Sequence, residues 1–215
     1  MATMFYRDSA GYYRTPGLDA YDWLVYGFGT RASTHPDQAR LATLHQVHSS
    51  DVISAAGRTG CLGNGDALIS DTPGRLVAVK TADCLPILMI DPLRRVVAAV
   101  HAGWRGTARQ ICRRTADSLC RQFGTRPADL HVAMGPGIGG CCYEVGPEVA
   151  AEFGQDGRGY VDLAEANRRQ LLELGVPPAR IELAGLCTMC GAEDFWSYRR
   201  DKQGAGRMLS FAGIR

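Results

Sequence analysis

Three short runs of branched aliphatic residues, 76–80, 85–90 and 96–100, follow one another with only turn residues between them. Each is nearly continuous in apolar character and is bounded by proline, aspartate or glycine. That pattern marks strands buried on both faces, where a half-exposed strand would alternate. A sheet covered on both sides needs partners, and the chain supplies them. Segment 104–123 carries Ala108, Ile111, Cys112, Thr115, Leu119 and Cys120 on one side at 3.6-residue spacing. Arg109, Arg113, Arg114 and Asp117 fill the other side, which predicts a single amphipathic helix ended by Gly124. A second helix is expected to open at a capping box of Asp162 and Glu165, run through Leu171 and Leu172, and stop at Gly175 and Pro177.

Further strands are expected at 24–28, 41–46, 51–54, 130–134, 181–184 and 207–214, with 61–66 a glycine-rich loop. The first forty residues are aromatic-rich and irregular. Strands alternating with helices imply an α/β fold, a mixed sheet flanked by helices. No repeat, low-complexity tract or linker interrupts the 215 residues, so 1–215 is expected to form one domain.

With 46% hydrophobic and 21% charged residues, the chain is no disordered, collagen-like or coiled-coil sequence. A net charge of +2 gives no electrostatic case for a nucleic-acid or membrane partner. Lys80 and Lys202 are the only lysines, which leaves 22 of the 24 basic residues as arginine, the side chain suited to bidentate recognition of phosphate and carboxylate. Tyr6, Arg7 and Asp8 stand where a signal peptide needs an apolar stretch, and apolar runs such as 96–104 fall short of the roughly 20 residues that span a bilayer. A cytoplasmic location is therefore expected. Its eight cysteines are then expected to be reduced, most of them packed as small hydrophobes.

Of five histidines, two sit with a cysteine where chemistry is easiest to build. His48 lies at a strand-to-turn edge, Cys84 follows Thr81-Ala82-Asp83 between two apolar runs, and His101 ends the 96–100 run. Imidazole, thiolate and imidazole make a sound zinc shell with a fourth position left for water or substrate. Their spacings of 36 and 17 match no compact zinc-finger pattern. A Cys84–His101 nucleophile–base pair is the competing reading.

Other candidates carry less. Cys187-Thr188-Met189-Cys190 has the C-x-x-C form, but adjacent Cys141-Cys142 makes a poor second pair for a structural zinc, so a redox role or, ahead of it, core packing is expected for these thiols. Gly135–Gly140 lacks both the following helix of a dinucleotide loop and the G-K-[ST] of a P-loop, and is expected to line a pocket. Ser197-Tyr198-Arg199-Arg200-Asp201 offers donors for an anion.

Taken in order, Gln46-Val47-His48, Gly65-Asp66-Ala67, Thr81-Ala82-Asp83-Cys84-Leu85-Pro86 and Val100-His101-Ala102-Gly103-Trp104-Arg105-Gly106 resemble the YfiH/laccase-domain family. The resemblance continues through Gly135-Pro136-Gly137-Ile138-Gly139, Tyr143-Glu144-Val145-Gly146, Cys187-Thr188 and the Ser197–Asp201 block. It implies a single YfiH-like domain in which His48, Cys84 and His101 hold a metal. It implies zinc in preference to copper, because one three-ligand site cannot supply the several coppers of a true laccase.

The activity implied is on purine nucleosides: phosphorolysis of adenosine, inosine and S-methyl-5'-thioadenosine, with adenosine deamination. The alternative it implies is a cysteine or amide hydrolase that edits peptidoglycan precursors such as UDP-MurNAc-L-Ser. On the nucleoside reading, water at the open position serves the deamination at purine C6. Cys84 and His101 are then catalytic, and Asp83 transfers a proton or supports the metal shell. Gln46, Arg105, Arg199 and Arg200 contact substrate, the arginines clamping phosphate. The partners implied are a small nucleoside and phosphate.

Overall fold

A computed structural model describes residues 5–215. Its main strands form a six-stranded and a five-stranded sheet, accompanied by two short two-stranded ribbons. In chain order the main strands are β1 (Leu24–Gly27), β2 (Leu41–His45), β3 (Val52–Ser54), β4 (Gly60–Asn64), β5 (Ala67–Ser70) and β6 (Leu76–Thr81). They continue as β7 (Leu85–Asp91), β8 (Val96–Ala102), β9 (His131–Met134), β10 (Ile181–Leu183) and β11 (Met208–Ile214). The larger sheet runs β10-β9-β7-β8-β5-β3 and the smaller β1-β11-β6-β2-β4. Both are mixed: β8 lies antiparallel to β7 and β5, while β3 joins β5 and β2 joins β6 in parallel.

Alternation along β7 explains why its sequence is apolar throughout. Leu88 and Ile90 meet Val77, Val79, Val97 and Ala99 between the two sheets. Ile87 and Met89 point the other way, onto Ile111, Ala116, Leu119 and Leu171 of the helical layer. Each such Leu or Ile, fully buried, contributes about 1.5–3 kcal/mol. Tyr12, from the irregular first forty residues, covers the outer face of the smaller sheet with its ring edge-on to Phe211 at 5.2 Å. The strands expected of one mixed sheet are thus divided between two, and the helices cover the larger. Among the described residues no helix is long and apolar enough to cross a membrane.

The single helix expected over 104–123 is two: α1 (Trp104–Ala108) and α2 (Ile111–Phe123). Gln110 between them adopts a left-handed φ of +59°, which reorients the chain so that Ile111 and Cys112 reach the sheet. Gly124 ends α2 as expected, at φ +70° with its N–H on the Cys120 carbonyl. At the start of α3 (Leu163–Glu173), Asp162 accepts from the Glu165 N–H, but the Glu165 carboxylate turns to Arg169 at 3.0 Å instead of completing the box. The loop expected over 61–66 also differs. Gly60–Asn64 is an edge strand held by backbone pairing to β2, a role that needs no apolar side chains.

Candidate metal-binding active site

Three strand ends of the stacked sheets meet at one point. Beyond β2 the chain turns through His48, whose φ of +57° lies in the left-handed region. That turn is pinned by Asp66, which immediately precedes β5 and is wholly buried. Its carboxylate accepts the N–H groups of Val47, His48 and Ser49 at 3.3, 3.1 and 2.6 Å, and the Ser49 hydroxyl at 2.8 Å. The Asp66 Oδ1 also meets His101 Nδ1 at 2.7 Å, and its carbonyl accepts the His101 N–H at 2.7 Å. One carboxylate therefore positions both histidines. Cys84 enters from the β6–β7 turn, where the preceding Asp83 takes a φ of +85°.

One donor atom from each of His48, Cys84 and His101 lies within 4.8 Å of the others. Cys84 Sγ is 3.9 Å from His48 Nε2, and the two imidazoles meet edge-on with centroids 4.9 Å apart. With His101 Nδ1 committed to Asp66, its Nε2 is the nitrogen left for a ligand, the usual arrangement of a carboxylate-oriented metal histidine. Tetrahedral bonds of about 2.0–2.3 Å place neighbouring N and S donors about 3.5 Å apart, so this set fits a metal with little adjustment. Gly103 makes the approach possible: a Cβ there would stand 3.0 Å from Cys84 Sγ and 3.2 Å from His48 Cδ2.

Charge and burial compete within the trio. Burial opposes ionisation of Cys84, but hydrogen bonds and charge from His101 and His48 outweigh it and bring the thiol down to about 6. Burial likewise disfavours the His101 cation, yet Asp66 and Cys84 raise it to about 9. Without a metal, the pair is a thiolate beside an imidazolium.

A cavity of about 790 Å³ opens onto the trio. Trp104, Ile138 and Tyr143 give it an apolar side, and Lys80, Arg199, Lys202 and Arg207 a cationic one. Asp83 lines it, but both its oxygens accept from this chain: Thr188 Oγ1–H at 2.7 Å and the Arg199 N–H at 2.6 Å. Gln46 lines it too, with its amide clamped to Lys80 in both directions at 2.8 Å. Arg199 reaches the cavity with Nη1 on the Glu144 carbonyl at 2.9 Å and its guanidinium carbon 5.4 Å from the Tyr143 ring centre.

Two of the expected substrate contacts are not among the residues that line the cavity. Arg105 is exposed and stacks on Trp104, 4.3 Å from the ring centre. The Arg200 guanidinium donates to the carbonyls of Thr188, Met189 and Phe195 and to Asp201, so its donors are spent on backbone. Ile138, from the expected pocket wall, is in place. Asp66, Trp104, Tyr143 and the three further cations were not singled out as site residues, although Asp66, Trp104 and Tyr143 stand in the Gly65–Ala67, Val100–Gly106 and Tyr143–Gly146 blocks. Cys141, Cys142, Cys187 and Cys190, for which the spacing favours packing, converge with their sulfurs all within 4.8 Å of one another, and Cys141 and Cys190 are exposed.

Comparison with known proteins fits this geometry. Residues 30–215 match the family described as multi-copper polyphenol oxidoreductase laccase. The chain belongs to this YfiH/laccase-domain family. A purine nucleoside phosphorylase of Deinococcus radiodurans is 42% identical over 184 residues, 81% of this chain and 70% of that protein. The adenosine deaminase RL5 of an unknown prokaryotic organism is 37% identical over 69% of this chain, which takes in 61% of that protein's length. Among solved structures, YlmD of Geobacillus stearothermophilus superposes with a TM-score of 0.90 at 29% identity, covering 99% of both chains.

Proposed function

We propose that this chain is a zinc-dependent purine nucleoside enzyme, carrying out phosphorolysis of adenosine, inosine and S-methyl-5'-thioadenosine together with adenosine deamination. The observation that carries the reading is the convergence of His48, Cys84 and His101 on one point beneath a cavity with an aromatic and a cationic side. Two neutral imidazoles and one thiolate suit zinc well, and three protein donors leave a coordination position free. The names of the relatives, purine nucleoside phosphorylase and adenosine deaminase, support the substrate class. A zinc ion held there would supply Lewis acidity and acidify water.

The chain's own residues do the rest. Asp66 fixes the tautomer and orientation of His101 and holds the His48 turn. Trp104, Tyr143 and Ile138 flank the purine and exclude water from the reacting bonds. Arg199, anchored on Glu144, presents donors to phosphate beside Lys80, Lys202 and Arg207. In phosphorolysis the bond from C1′ to the base nitrogen breaks, a phosphate oxygen bonds C1′, and the base departs with a proton. In deamination a water oxygen bonds purine C6 and ammonia leaves. Asp83 acts by holding the Arg199 turn, since both its oxygens are occupied.

Incubating the purified protein with adenosine, with and without phosphate, tests this. Adenine and hypoxanthine with ribose 1-phosphate, formed only with phosphate, and inosine in either case are the expected products; no turnover of any of the three nucleosides overturns it. A second reading has its own support: Asp66, His101 and a Cys84 thiol brought to about 6 are the parts of a cysteine hydrolase acting on an amide. A covalent adduct at Cys84 in metal-free protein, with cleavage of UDP-MurNAc-L-Ser, would favour that reading.

A further inference from the structure

Two loops pack together beside the cavity, the first of them lending it Ile138 and Tyr143. One follows β9 and carries Cys141 and Cys142; the other follows β10 and carries Cys187 and Cys190. They are stitched by backbone bonds, Thr188 N–H to the Gly137 carbonyl at 3.0 Å and Gly137 N–H to the Leu186 carbonyl at 3.2 Å. The sulfurs stand 3.7 Å apart for Cys141–Cys142, 3.9 Å for Cys141–Cys190 and 3.4 Å for Cys142–Cys190. Four thiolates bound tetrahedrally at about 2.3 Å are separated by about 3.8 Å. The observed spacings bracket that value and are far longer than the roughly 2.05 Å of a disulfide.

Local backbone points the same way. Cys187-Thr188-Met189-Cys190-Gly191 folds into a knuckle, with the Gly191 N–H on the Cys187 carbonyl at 2.9 Å. The Gly139 N–H points at Cys187 Sγ from 3.3 Å. Gly139 keeps the space clear, since a Cβ there would lie 3.2 Å from Cys141 Sγ and 3.4 Å from Cys187 Cβ.

We infer that Cys141, Cys142, Cys187 and Cys190 form a second metal site, a closed tetrathiolate centre for zinc that is separate from the His48/Cys84/His101 site. Binding replaces four S–H bonds with four metal–sulfur bonds and releases four protons, with no change in oxidation state. The centre staples two loops that support the cavity. Ile138 and Tyr143 lie on the first loop, and Thr188, which holds Asp83, lies inside the knuckle. Its role is structural, because four protein donors leave no position for substrate.

The test is made on the full chain expressed reduced with zinc. Metal analysis of the His48→Ala/His101→Ala variant isolates this centre from the first one. We expect about one zinc per chain there, and none in that variant carrying Cys187→Ser and Cys190→Ser as well. Replacing zinc with cobalt in the His48→Ala/His101→Ala variant gives the visible spectrum of tetrahedral cobalt bound by four thiolates. Thiol labelling adds a readout that needs no variant: Cys61 and Cys120, both exposed, react at once, whereas Cys141 and Cys190 react only after chelation. A metal-free His48→Ala/His101→Ala protein, equal labelling before and after chelation, or a Cys142–Cys190 disulfide in freshly prepared protein would each overturn the inference. None of these outcomes depends on nucleoside turnover.

Discussion

Among the described residues two clusters of donors could hold a metal ion, and they are built in opposite ways. His48, Cys84 and His101 come from the ends of strands whose bodies fill the core, and a buried carboxylate positions the two histidines. Cys141, Cys142, Cys187 and Cys190 come from paired loops, two of them exposed, with backbone N–H groups as their supports. The first offers three mixed donors beside a cavity, the second four sulfurs and a closed shell. Three donors suit chemistry, because substrate or water can complete the shell; four suit fastening. The rigid sheets supply precision to the first, and the second ties down the loops the sheets leave loose.

Removing donors from each cluster separates the two roles most strongly. Replacing His48, Cys84 or His101 by alanine is expected to drop nucleoside turnover to background. Cys190→Ser should retain turnover at low temperature while lowering the melting temperature. Equal loss of turnover in both classes, measured below the melting point of each variant, would erase the distinction. Asp66→Asn comes next. It keeps the shape but weakens the hold on His101, and metal affinity or turnover should fall about 10–100-fold. An unchanged zinc titration would remove Asp66 from the account.

Acidity separates the clusters further. For the His48/Cys84/His101 site to bind metal, Cys84 must be ionised and His101 neutral. The Cys84 thiol titrates at about 6 and His101 at about 9, so binding releases the His101 proton below pH 9 and the Cys84 proton as well below pH 6. Affinity therefore rises with pH up to about 9, and most steeply below 6. Metal titrations across this range check the slope; affinity that falls as pH rises from 6 to 9 would contradict the assignment. The smallest expected effect is that of Gly103→Ala. Its methyl, 3.0 Å from Cys84 Sγ, should displace the thiol by a few tenths of an ångström and cost about tenfold in metal affinity, roughly 1.4 kcal/mol. The competition titration that measures this would show no loss if the donors can rearrange freely.

The core and the first cluster were legible because burial writes itself into residue type. The 85–90 run is apolar throughout since β7 is covered on both faces, and His48, Cys84 and His101 stand out at the margins of such runs. Asp66 carried no comparable mark: a lone acidic residue before a strand looks like any turn aspartate until the chain brings His48 and His101 to it. Arg200 and Arg199 are adjacent and identical in type, yet one spends its guanidinium on three carbonyls while the other faces the cavity, a division decided by the turn of the Tyr198–Asp201 helix. The four cysteines illustrate the same limit. Adjacent Cys141-Cys142 is a poor metal pair by spacing alone, and only the Gly137–Cys187 bridge between distant loops puts the second pair opposite it. Gln110, too, has nothing in its side chain to announce the break between α1 and α2.

The most direct measurement is a crystal of the protein grown with zinc and recorded at the zinc absorption edge. An anomalous peak is expected about 2.0–2.1 Å from His48 Nε2 and His101 Nε2 and about 2.3 Å from Cys84 Sγ, with His101 Nδ1 still on Asp66. No peak at that point in zinc-saturated crystals, or a peak that leaves any of the three donors unbound, would contradict it.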